Sequence, residues 1–398
     1  MAGTFRSLHN RHFRHYTLTG LPSNIGTWMQ RTAQDWLVLT ELTQHSATAL
    51  GIVTALQFLP PLLLLPFTGL AADRIDRRKL LMLTQGSMAL LAMLLGLLVV
   101  TGSVALWHAY LFAFLLGCCT AFDSPVRQSF VAEMVGEARL SNAVALNSMS
   151  FNSARMIGPA AAGVLIAAVG TGWIFIVNGL SFLPLLLILA NMPAKELHRN
   201  HHGQRQTLWA AFPYVWHNKV LLSTVLMVAL MGSVGLNLPI YIATMSTLVF
   251  HGGASQYGLM TSMLALGTIS GAVLAARREA PTLGLLLVAS SSFALAMLSA
   301  AASPTLLLFC LILILIGLAA QTFLITANSR VQLATAPHMR GRVMALFMAV
   351  AMGGQPLTGP LVGWVVDHFG ARWGLLVGAM GGVGAALIAG YYGWRQRR

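Results

Sequence analysis

The chain has 398 residues, 57% of them hydrophobic and 9% charged, with a formal net charge of +14. A soluble domain carries roughly 25% charged residues, so a water-facing surface is excluded and lipid is the expected solvent. Nucleic-acid binding is disfavoured too, because the basic residues come in small packets between apolar spans instead of clustering on one face among aromatics.

A hydropathy window of about 19 residues predicts an all-α membrane protein of twelve spans. They fall near residues 15–40, 47–72, 80–101, 104–126, 143–168, 172–191, 220–249, 255–276, 282–301, 304–326, 342–366 and 372–393. The first twenty residues hold Arg6, Arg11 and Arg14 but no apolar core followed by small residues, so no cleavable signal peptide is expected.

The first span carries Asn24, Thr27, Arg31 and Asp35 at spacings of three, four and four, which is one helix face, with Trp28 beside it. An ionisable group at mid-bilayer costs about 2.5–3.5 kcal/mol on insertion scales, so each one needs a reason. Arg31 and Asp35 either neutralise each other and anchor the helix, or line a polar cavity in which Asp35, coupled to Arg31, exchanges a proton. Asp35 is the only carboxylate well inside a predicted span, and no histidine lies mid-membrane.

Between the second and third spans, six charges fall within residues 73–79. Such a knot cannot sit in hydrocarbon and marks a loop at the membrane surface. The pattern G-x-x-x-D-R-x-x-R-R, made by Gly69, Asp73, Arg74, Arg77 and Arg78, resembles the signature loop between helices 2 and 3 of the major facilitator superfamily of transporters. Asp76 stands where that superfamily often has Gly. The resemblance implies twelve transmembrane helices in two pseudo-symmetric six-helix halves, here residues 1–191 and 220–398, joined by a cytoplasmic linker at 192–219.

The fourth span ends with Asp123, Pro125 and Arg127. The resemblance implies that Asp123 and Arg127 join Asp73 and Arg77 in a conformational latch. An ordinary helix-end pair is the other reading. The fifth span puts Ser148, Asn152 and Arg155 on one face, followed by Gly158, Pro159 and Gly163. Arg155 has no acidic neighbour in its own helix, so it must reach another helix, water or an anionic substrate. The string Gly158-Pro159-Ala160-Ala161-Ala162-Gly163 resembles the helix-5 antiporter motif of drug exporters, with Ala162 where Gly is usual, and implies outward transport.

In the linker, Leu208, Phe212, Val215 and Trp216 follow helical spacing and predict a helix lying on the membrane surface, kinked by Pro213. His198, His201 and His202 have no Cys or acidic companion in zinc-like spacing, so a solvated linker is expected, and no metal. The seventh span carries Ser233, Asn237 and Tyr241 four apart, and the tenth Gln321 and Thr322. In the facilitator fold, helices 1, 4, 7 and 10 line the cavity. By that resemblance Asn237, Tyr241 and Gln321 join Asn24, Thr27, Trp28, Asn152 and Arg155 as candidate substrate contacts. Hydrogen bonding between helices is the alternative.

Residues 117–173 and 317–373 look alike at an offset of 200. Gly117, Leu146, Gly163, Gly170 and Trp173 match Gly317, Leu346, Gly363, Gly370 and Trp373, and Gly158-Pro159 matches Gly359-Pro360 one residue out of step. Parallel repeats of this kind are expected of facilitator halves. Of the 24 Lys and Arg residues, 21 lie in the terminal tails and the even-to-odd loops, so both termini are expected in the cytoplasm.

No G-x-x-x-x-G-K-[ST], H-E-x-x-H or G-x-S-x-G occurs. Neither an ATP-driven machine nor an enzyme of those classes is expected, nor a cofactor. Trp28-Met29-Gln30-Arg31 with Gln34-Asp35-Trp36-Leu37, and Phe122 to Gln128, resemble the enterobactin-exporter-like branch of transmembrane secretion effectors. That branch implies a proton-coupled exporter of siderophores or drugs in a bacterial cytoplasmic membrane. Its partners are protons, lipid and a small molecule, and a monomer is the expected unit. A proton-coupled nutrient importer and a non-transporting membrane sensor are the alternatives.

Overall fold

The computed structural model describes residues 6–64, 67–68, 71, 75–136, 139–193, 211–276 and 280–397, and among them there is no strand. The helices are α1 (Arg11–Trp36), α2 (Ala47–Leu63), α3 (Arg77–Val100), α4 (Leu106–Val135), α5 (Leu140–Val169) and α6 (Thr171–Asn191). They continue with α7 (Ala211–His217), α8 (Lys219–Val249), α9 (Ala254–Ala276), α10 (Leu283–Ala301), α11 (Leu306–Ala334), α12 (Arg340–Phe369) and α13 (Ala371–Arg397).

Ten of these are long and apolar enough to cross a bilayer. The first two predicted spans are the remaining pair, for different reasons. α1 has 26 residues but holds Asn24, Gln30, Arg31, Gln34 and Asp35 in its second half. α2 has 17 residues where the description stops. Leucines such as Leu307 and Leu357 are 72% and 73% exposed, as a surface solvated by lipid requires.

By its contacts the chain divides into two compact units, Met1–Leu42 with Leu59–Gly203, and Thr43–Phe58 with Gln204–Arg398. In the first unit α1 packs on α5 and α6, and α3 on α4 and α6. Phe13, Tyr16, Leu81, Phe130 and Val131 form its buried core near the start of α1. In the second unit α9 packs on α11, α10 on α11 and α13, and α8 on α12 and α13.

The first half of α2 joins the second unit because small residues let backbones touch. A Cβ on Gly51 would collide with the Gly359 carbonyl, and one on Gly363 with Ala47. Asp367 at the end of α12 then caps α2. It accepts from the Ala47 and Thr48 amides at 2.6 and 2.9 Å and from the Ser46 and Thr48 hydroxyls at 3.2 and 2.6 Å. A carboxylate at a helix N-terminus satisfies free amides and opposes the positive end of the helix dipole.

Two positions of the repeat take the same backbone form. Gly170 and Gly370 have φ +86° and +99°, and their amides cap α5 and α12 on Ile166 and Val366 at 2.9 and 2.8 Å. Only glycine adopts that form without strain. The departure at Asp76 also has a local cause: its carboxylate caps α3 by accepting from the Lys79 amide at 3.2 Å.

The surface-helix expectation meets α7, where Phe212 and Trp216 are exposed and Val215 is buried. Pro213 lies within this helix, Ala211–His217. Leu208, His198, His201 and His202 lie outside the described residues.

Candidate functional site

Gly158 sets the geometry of the site. A Cβ there would stand 2.5 Å from the Trp28 Cβ, 3.0 Å from the Ile25 carbonyl and 3.2 Å from the Met29 amide. Without one, α5 lies directly on α1. Arg155 sits one turn before Gly158, and Arg31 one turn after Trp28, so both guanidinium groups reach the same indole. Their central carbons lie 5.5 and 5.2 Å from its centroid. Phe151 meets the indole edge-on at 5.7 Å. Pro159 donates no backbone hydrogen bond, which releases the Arg155 carbonyl within the helix. Gly163 is buried further along α5.

Asp35 is close enough for its charge to act on Arg31. It is the only acidic residue of α1, and α5 has none. A cation–π contact contributes about 0.5–2 kcal/mol. That is less than the roughly 2.5–3.5 kcal/mol each charge costs at mid-bilayer, so the indole alone does not offset both cations.

The other polar residues of α1 turn elsewhere. The Gln30 Oε1 accepts from Asn178 on α6 at 2.5 Å, and Gln34 donates to the Ala109 carbonyl on α4 at 3.2 Å. The Thr27 hydroxyl donates to the Ser23 carbonyl in its own helix. Asn24 instead serves α4, accepting from Arg127 at 3.2 Å.

Arg127 also forks onto the Asp123 Oδ2 at 3.1 and 3.0 Å. The Asp123 Oδ1 accepts from Thr84 at 2.9 Å and Gln85 at 2.5 Å, both on α3. Asp123 and Arg127 side chains are only 9% and 16% exposed, so this is a buried pair tying α1, α3 and α4 together. Arg77 pairs with Glu133 at 2.7 Å, and Arg78 donates to the Met192 carbonyl. Glu133 was not among the expected site residues; its signal in the sequence is an acidic residue in the last turn of α4. Gly69, Asp73 and Arg74 of the expected latch lie outside the described residues.

The remaining candidates are scattered. Asn152 donates to the Ser148 carbonyl one turn back. Asn237 donates to the Ser233 carbonyl and to Thr358 at 2.5 and 3.2 Å, bridging α8 to α12. Tyr241, expected to face substrate, is fully buried instead. Its hydroxyl donates to the Val234 carbonyl at 2.5 Å, and its ring fills the space left by Gly374 and Gly378 of α13. Gln321 lies where α11 meets Gly271 of α9.

Residues 2–394 match the family described as transmembrane secretion effector. The chain belongs to the transmembrane secretion effector family. This family lies within the major facilitator superfamily, so the chain is a multi-pass membrane transporter with a small-molecule substrate. Among its relatives, the staphyloferrin A transporter of Staphylococcus aureus is 25% identical over 354 residues, 87% of either chain. The enterobactin exporter EntS of Citrobacter koseri is 25% identical over 333 residues, covering 82% of this chain and 79% of that one. A bacterial homologue of the lysosomal transporter Spinster, solved in an inward-facing conformation, superposes with a TM-score of 0.75 at 15% identity. The superposition covers 95% of this chain and 96% of that one, and it gives this effector-family member the major facilitator fold.

Proposed function

We propose that this chain is a proton-coupled exporter of small amphipathic molecules, working by alternating access in a bacterial cytoplasmic membrane with both termini inside. The observation that carries the proposal is that Arg31 and Arg155 both lie against the Trp28 indole, with Asp35 acting on Arg31. A purely structural helix pair gains nothing from a second cation on the same indole. Asp35 takes and releases the driving proton, and the substrate rests against Trp28. Proton and substrate drive transport only by favouring opposite conformations. The relative described as an enterobactin exporter supports the outward direction. Asn24, Asp123 and Arg127 hold α1, α3 and α4 in register, and Tyr241 packs α8 on α13 without touching substrate.

The experiment is transport in proteoliposomes with an imposed pH gradient, using the impermeant probes 2-naphthalenesulfonate and 2-naphthyltrimethylammonium. Asp35→Asn is expected to lower gradient-driven flux at least about tenfold while probe exchange without a gradient continues. Full gradient-driven flux in Asp35→Asn would remove the proton role.

A further inference from the structure

The exporter reading leaves the chemistry of the cargo open, and the charges around Trp28 narrow it. Both guanidinium groups lie against one indole, at 5.2 and 5.5 Å from its centroid. Asp35 acts on Arg31, and α1 and α5 hold no other carboxylate. The cluster therefore keeps one positive charge in excess, in a medium that screens it poorly. A cationic cargo would add to that excess. A neutral cargo would leave it. A cargo with one negative group brings the site to zero.

We infer that the site recognises a planar apolar ring bearing an anionic group, a carboxylate or sulfonate, with the ring on Trp28 and Phe151 and the anion between Arg31 and Arg155. The planar, many-donor guanidinium suits two-oxygen anions, and two of them converging from different helices fix the direction in which the anion points. The anion shares Arg31 with Asp35 and takes most of its recognition from Arg155. The close approach at Gly158 keeps that distance short. This inference rests on the exporter reading for its use in transport, but binding tests it alone.

The probes are 2-naphthalenesulfonate, 2-naphthalenesulfonamide and 2-naphthyltrimethylammonium, which share a ring and differ in charge. Their affinities for the purified full chain in detergent are read by quenching of tryptophan fluorescence. The sulfonate is expected to bind at least about tenfold tighter than the sulfonamide, and the ammonium weakest. Arg155→Gln should remove the sulfonate's advantage and spare the sulfonamide, whereas Arg155→Lys should keep part of it. Because a variant can fail to fold, the wild-type ranking is decisive by itself. Equal affinities, a preference for the ammonium, or no saturable binding would overturn the inference. Selective sulfonate binding without flux of either impermeant probe would leave the anion site standing and sink the exporter reading. Flux of the ammonium alone would do the reverse.

Discussion

Replacing Asp123 by Ala is expected to destabilise the folded protein by about 3–5 kcal/mol, because it strands a buried cation. Arg127 is only 16% exposed and forks onto Asp123 at 3.0 and 3.1 Å. The same carboxylate accepts from Thr84 and Gln85 across the α3–α4 contact, so Ala also leaves the buried Gln85 amide without this acceptor, while Thr84 keeps the Leu81 carbonyl. In detergent the unfolding midpoint should fall by roughly 10 °C, given the usual shift per kcal/mol for a unit of this size. Asp123→Asn keeps acceptors for Thr84 and Gln85 but loses the charge, so its cost is smaller. The double change Asp123→Leu with Arg127→Met removes both charges and should recover much of the loss, a coupling that separate effects would not give. An Asp123→Ala midpoint equal to that of the unaltered protein would contradict the role of this pair.

The second large effect is at Gly317, where α11 crosses α9. A Cβ there would collide with the Leu264 carbonyl and stand 2.9 Å from the Thr268 amide and 3.2 Å from the Gly267 carbonyl carbon. Gly267 is equally tight against Ile314 from the other side. Contacts this close are backbone against backbone, and no rotamer change relieves them. In lipid, helices associate through such packing because hydrocarbon supplies no hydrophobic drive between them. Gly317→Leu should therefore abolish the folded monodisperse species on size exclusion, an effect beyond the roughly 1–3 kcal/mol of ordinary overpacking. Gly86→Ala is the control. Nothing lies within 4 Å of its added Cβ, and the change should be neutral or stabilise α3 by about 0.5–1 kcal/mol. A folded Gly317→Leu protein with an unshifted midpoint would contradict the packing described.

Much of this was legible in the residues. Span positions follow from hydropathy, and the repeat marked Gly170 and Gly370, which adopt the same left-handed cap. Trp28, Arg31 and Arg155 stood out because charge is costly in lipid, and the glycine that joins their helices was part of the quoted motif. Other features were hidden for physical reasons. The Asp367 cap on α2 joins residues some 320 positions apart, and nothing local announces it. The partner of Arg77 is Glu133, which reads as an ordinary surface acid at a helix end. Tyr241 has cavity-like spacing with Ser233 and Asn237, yet the two glycines that receive its ring lie on α13. Helical periodicity names a face but not what the face meets. The polar residues of α1 also lower its hydropathy, so the span that carries the proposed site is the one least evident by apolarity.

The most direct test of the account is flux through the unaltered protein. Proteoliposomes loaded with 2-naphthalenesulfonate are placed in acidic medium, so that protons run inward, and loss of probe is followed with and without a protonophore. The account predicts release well above that of protein-free vesicles, slowed when the proton gradient is collapsed. Release equal to the protein-free rate, from vesicles shown to contain folded protein and with 2-naphthyltrimethylammonium equally retained, would contradict it.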